Sequence, residues 1–106
     1  MISSVFVQRI DWRGITVEIS YEPNWLGGLS EAFGEPLAHL QIRSVSPERA
    51  ALPVTETGYR SAFVIGSVVR AEGGPVTFVR EWLDVAAQCS AWRDHQERSR
   101  QLSFFS

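Results

Sequence analysis

The chain contains no lysine and a single cysteine, and no apolar stretch in it approaches the length of a membrane-spanning helix. Each absence excludes something. With Cys89 alone there is no intramolecular disulfide, and a reducing compartment fits. No charged start followed by an apolar run and a cleavage site is present, so a cytoplasmic location is expected. The phosphate loop, the dinucleotide fingerprint and the nucleophile elbow are all missing. His39 and His95 stand far apart in sequence, without the Cys and His spacing of a metal site, so no metal and no cofactor is expected. Net charge is −2 and the isoelectric point near 5.6, which argues against a phosphate-neutralising domain. All ten positive side chains are arginine, planar donors suited to carboxylates and other flat anions.

What is present suits one small domain. The 106 residues are 44% hydrophobic and 21% charged, ordinary for a globular chain and unlike a disordered one. Ser3–Trp12 reads as a strand, and Arg13-Gly14 as a turn. Ile15, Val17 and Ile19 then alternate with Thr16, Glu18 and Ser20, which predicts a hairpin from about Val5 to Tyr21. Residues 23–36 carry two prolines and three glycines and read as a long packed loop, with a helical turn at Leu29–Phe33. A third strand follows over Leu37–Val45. Ser67–Glu72 suggests a helical turn closed by Gly73. Pro75 then opens the main helix, whose apolar positions are Val76, Val79, Trp82, Leu83, Ala86 and Ala87, widened by Phe78, Val85, Cys89 and Trp92. The fold class is α+β: an antiparallel sheet of three to four strands packed by one long C-terminal helix, in a single domain over residues 1–106 with an extended polar tail at 93–106.

The segment Thr55-Glu56-Thr57-Gly58-Tyr59-Arg60-Ser61 concentrates polar and turn-forming side chains between two apolar runs. Two readings compete. In the structural one, which is favoured, Gly58 centres a turn or bulge, Glu56 pairs with Arg60, and Tyr59 lays its ring on the core with the hydroxyl outward. Phe63 and Ile65 then share one strand face. In the functional reading, Thr55, Thr57, Tyr59 and Arg60 converge as donors to a ligand or partner, Arg and Tyr being enriched at binding hot spots.

Further candidates are weighed the same way. Trp25 in the long loop, and Phe104 and Phe105 at the end, are candidate contacts for a partner or a second copy of the chain. His39 reads as a strand histidine, Cys89 as a small buried hydrophobe, and Gly73-Gly74-Pro75 as punctuation before a helix. Asp94 and Arg98 are spaced to pair on a helix surface.

The stretch LPVTETGYRS (Leu52–Ser61) resembles a family of small proteins carried on plasmids and integrative elements of proteobacteria. The resemblance extends through Tyr21-Glu22-Pro23-Asn24-Trp25-Leu26, His39-Leu40, Gly73-Gly74-Pro75-Val76 and Trp82-Leu83, covering about Ile15 to Trp92. Relatives more often carry histidine where this chain has Ala62. The resemblance supplies no activity and implies a mobile-element accessory role. The leading functional reading is therefore a non-enzymatic bacterial protein that acts by binding a protein partner, itself included as a homodimer, as an inhibitor of a host system or an adaptor to it. One alternative is a nucleic-acid binder using Arg9, Trp12 and Arg13 on a sheet face. The other is a small enzyme using Glu56, Tyr59 and Arg60 with His39 as a base.

Overall fold

The computed structural model describes residues 5–23 and 37–105, and side chains as far as residue 98. Four strands form one antiparallel sheet in the order β1-β2-β3-β4: β1 (Phe6–Trp12), β2 (Ile15–Glu22), β3 (Leu37–Ser46) and β4 (Tyr59–Ile65). Three helices follow: α1 (Gly66–Ala71), α2 (Pro75–Ala86) and α3 (Ser90–Phe105). The hairpin expected between Val5 and Tyr21 is present, with Trp12 opposite Ile15 and Phe6 opposite Tyr21. Trp25 and the Leu29–Phe33 turn lie outside the described residues.

Side-chain alternation divides the sheet into two unlike faces. Ile10, Trp12, Val17, Ile19, Tyr21, Ala38, Leu40 and Ile42 all point to the helical side and are buried. Val69 of α1 and Val79 and Leu83 of α2 close the core from above. Burying each such aliphatic side chain contributes about 1.5–3 kcal/mol, so these three contacts fix the helices on that face. The opposite face carries no helix among the described residues and presents Arg9, Glu18, His39, Arg43, Tyr59 and Phe63. Burial also pushes the Tyr21 phenol above its ordinary value, with the nearby Arg70 charge opposing the shift.

The C-terminal helix differs from the sequence expectation. The single long C-terminal helix is two helices, because α2 stops at a capping Ala87 and α3 begins at Ser90. No glycine or proline marks the break, but the geometry requires one. Trp92 follows Leu83 by nine positions, about half a turn out of phase at roughly 3.6 residues per turn. A continuous helix would turn Trp92 away from the core that Leu83 enters. The break swings it back onto Trp12, with ring centroids 5.9 Å apart. The same break leaves Cys89 exposed in the turn rather than buried, and Val85 is 68% exposed rather than part of a wide apolar sector.

On β4, Phe63 and Ile65 share a face as expected, and it is the open one, with Phe63 55% exposed and its ring stacked on His39 at 5.0 Å. Ala62 and Val64 turn inward instead. No helix of the described residues is long and apolar enough to cross a membrane.

The start of β4 is fixed by Gly58, whose φ is +79°. A Cβ there would meet the Arg49 carbonyl carbon at 2.7 Å and the Ala50 oxygen at 2.9 Å, both rigid backbone. Gly14 in the first hairpin also has positive φ, at +83°, yet open space surrounds it. Chemical denaturation should separate the two. Gly14→Ala should cost about 1 kcal/mol, the left-handed penalty alone. Gly58→Ala should cost about 3 kcal/mol or more, because steric overlap adds to that penalty. Equal losses would show that the close approach to Arg49 is not a constraint.

Candidate functional site

The polar segment before β4 is committed mostly to holding itself. Ser44 donates its backbone N–H to the Gly58 carbonyl at 2.7 Å and its hydroxyl to the Ala50 carbonyl at 2.6 Å. Since Ser44 and Gly58 form a hydrogen-bonded pair, antiparallel alternation turns the N–H and C=O of Arg60, Ala62 and Val64 toward β3 and those of Tyr59 and Ser61 toward the free edge. The Tyr59 carbonyl does not stay exposed there. Thr55 Oγ1 donates to it at 2.8 Å, and Thr57 Oγ1 lies 3.3 Å from it. The two threonines thus blunt the end of an edge strand that could otherwise pair with another chain.

The residues proposed to converge are divided by the strand. Tyr59 and Arg60 are neighbours, so they occupy opposite faces of the sheet. Tyr59 is 47% exposed on the open face, and its ring does not rest on the core. Arg60 turns to the helical side, donating to the Val54 carbonyl at 3.0 Å with its guanidinium carbon 5.4 Å from the Trp82 ring centroid. Among the described residues Arg60 makes no ion pair with Glu56. Glu56 points elsewhere, into a cleft against the start of α3, where Asp94 and Arg98 also lie without pairing to each other. His39 is on the open face, so the Glu56–His39 arrangement needed by the enzymatic alternative is not assembled.

The nucleic-acid alternative loses its aromatic platform. Trp12 is 3% exposed and donates its indole N–H to Asp84 at 2.9 Å. Arg9 and Arg43 flank Glu18 across three strands, at 3.2 and 2.9 Å, and Arg13 lies over the Trp12 ring. Phe104 and Phe105 fall within α3, beyond the last described side chain.

What sequence reasoning missed is a groove of about 340 Å³ between β4 and the helices. Ala62 and Val64 form its floor, and Phe78, Trp82 and Val85 of α2 form one wall. Phe78 and Trp82 contact each other, their centroids 6.4 Å apart, as expected for positions four apart on a helix. Glu72 and Glu81 also line it. The hydrogen bond that protonated Glu81 donates to the Glu72 carboxylate, and then the negative charge of Glu72, raise the pKa of Glu81 above the usual carboxylate value. Val85 carried the available signal: an apolar residue out of phase with the Val79–Leu83 stripe.

That shift has a stability consequence. A carboxyl whose pKa is raised on folding contributes stability at acid pH that is lost as pH rises through its folded pKa. At neutral pH the Glu72–Glu81 repulsion therefore opposes folding. Glu81→Gln should raise the melting temperature at pH 7, and the gain should shrink as pH falls through the raised Glu81 pKa toward the ordinary carboxylate value. A gain independent of pH would show that the two carboxyls do not interact.

The family model for the KlcB third domain matches residues 6–92, which run from the first residue of β1 to Trp92. No curated protein and no solved structure matches the chain. The matched span takes in the whole sheet, the groove and the Trp12–Trp92 contact that anchors α3. The chain belongs to the KlcB third-domain family.

Proposed function

We propose that this domain is a non-enzymatic binding module of a mobile-element accessory protein, and that its contact surface is the β4–α2 groove. The observation that carries this reading is the composition of the groove. Its floor and one wall are aliphatic and aromatic, open enough to leave Val85 68% exposed, and two interacting carboxyls stand beside them. Apolar surface of this kind is stabilised when a partner covers it. The carboxyl pair supplies the selection, because a cation placed between Glu72 and Glu81 relieves their repulsion. The partner that fits is thus a protein segment with apolar side chains for Phe78, Trp82 and Val85 and a lysine or arginine for the carboxyls.

Arg60 supports the groove by holding Trp82 in place and tying it to the Val54 loop. Tyr59 stands on the other face of the same strand and belongs to a separate surface. The mobile-element setting comes from the sequence resemblance around Leu52–Ser61. An inhibitor or adaptor role toward a host system, in the cytoplasm, is consistent with a module that recognises a partner without chemistry of its own.

Selection from a displayed peptide library tests this directly. Wild-type protein should enrich apolar segments that carry a basic residue. Affinity for a selected peptide should fall about tenfold in Glu72→Gln/Glu81→Gln. It should also fall as pH is lowered through the raised Glu81 pKa, since protonation removes the charge that the cation meets. Val85→Asp should abolish binding without unfolding the domain, because that side chain faces solvent. Enrichment of acidic peptides, or binding indifferent to all three variants, would overturn the assignment.

A further inference from the structure

The β4–α2 groove is walled on one side only. Arg80 and Asp84 of α2 bond to β1, which leaves Phe78, Trp82 and Val85 on the side of the helix toward β4. Apart from β4 and α2, the lining includes only Glu72 at the end of α1, and among the described residues nothing beyond β4 contributes to it. β4 is also the last strand of the sheet, bonded to β3 and to no other described strand. The groove therefore opens along a sheet edge.

The backbone of that edge is accessible at Ser61. Ser44 donates its N–H to the Gly58 carbonyl, and the register from there pairs Ile42 with Arg60 and Leu40 with Ala62. Alternation turns the N–H and C=O of Ser61 away from β3. The neighbouring Tyr59 carbonyl has the same direction, and Thr55 and Thr57 bond it in place of β3. These threonines close one end of the edge, and α1 closes the other by starting at Gly66. Ser61 lies between the two ends and is exposed. An open strand edge beside an apolar groove is an arrangement that receives a peptide as an added strand. Main-chain bonds then give affinity, and alternate side chains give specificity. Resting on the assignment of the groove as the contact surface, we propose that the partner segment binds in extended form, as a strand antiparallel to β4 and centred on Ser61. Antiparallel pairing continues the pattern of every pair in this sheet. The partner residue opposite Ser61 exchanges hydrogen bonds with it and points to the open face. Its neighbours lie beside Arg60 and Ala62, point to the helical side and supply the missing wall opposite α2. The basic residue belongs to this inward set, because Glu72 and Glu81 line the groove. A helical segment would use the same apolar surface and leave the Ser61 backbone to water.

The probe is a peptide of about seven residues, capped at both ends, that alternates valine with threonine and has one valine replaced by lysine. Magnetic resonance follows the Val85 methyls and hydrogen exchange at the Ser61 amide in the same titration. Near saturation the Val85 methyls should shift, and Ser61 exchange should slow about tenfold. Peptide N-methylated at the threonines, whose amides face β4, should bind about tenfold more weakly, whereas N-methylation at the valines should leave affinity unchanged. Ser61→Pro should keep the fold, because that N–H bonds nothing in the sheet and proline is tolerated on edge strands. It should also weaken the peptide about tenfold. A Val85 shift without slowed exchange at Ser61 would overturn the added strand and leave the groove as the contact surface. Equal effects of the two N-methylations, or full affinity in Ser61→Pro, would overturn the added strand in the same way. No change at either residue with about 10 mM peptide, where even a millimolar site is mostly filled, would overturn both.

Discussion

The position of α2 over β1 and β2 is the constraint from which the surfaces of this domain follow. Two hydrogen bonds hold it there: the Trp12 indole donates to Asp84, and Arg80 donates to the Asp11 carbonyl at 3.3 Å. Both reach across most of the chain and register the helix against the first hairpin. Drawn toward that side, α2 leaves the inner face of β4 only partly covered. Val69 of the short α1 closes part of the remaining core, and the uncovered part is the groove over Ala62 and Val64. The helix break beyond Ala87 follows from the same geometry, because Trp92 must turn back to reach Trp12.

The polar segment before β4 is held by contacts within the domain, in keeping with the structural reading of its composition. A cluster of Thr, Glu, Tyr and Arg invites a reading as a binding site. In the structure Gly58 packs against the Arg49–Ala50 backbone, Thr55 and Thr57 cover an edge carbonyl, and Arg60 spans from Val54 to Trp82. These contacts anchor the edge strand and so shape the groove beside it. The segment shapes the groove through the strand it fixes, while the aromatic side chains of the groove, Phe78 and Trp82, come from α2 further along the chain.

Much of the fold was legible in the residues, and for identifiable reasons. The alternation of Ile15, Val17 and Ile19, and of Ala38, Leu40 and Ile42, gave two central strands, because both must bury one face. Pro75 after Gly73-Gly74 located the start of α2. The break after α2 was not legible, since Ala87-Gln88-Cys89 carries no breaker and only the phase of Trp92 against Leu83 betrays it. Phe63 and Ile65 share a strand face as expected, and it is the open one because Ala62 and Val64 turn inward. In an edge strand with Ala62 and Val64 inward, the larger side chain is not the buried one. The groove was invisible in sequence because Ala62, Val64, Glu72 and Val85 are brought together only by the tertiary placement of α2.

The central claim is that the β4–α2 groove, and not the open sheet face, is where a partner binds. Methyl chemical-shift mapping during titration with a basic, apolar peptide tests it most directly, because β4 and its neighbours carry reporters on both faces. The account predicts that the methyls of Ala62, Val64 and Val85 shift together while those of Val7 and Ile65 stay in place. Shifts confined to Val7 and Ile65, with Ala62, Val64 and Val85 unmoved, would contradict it.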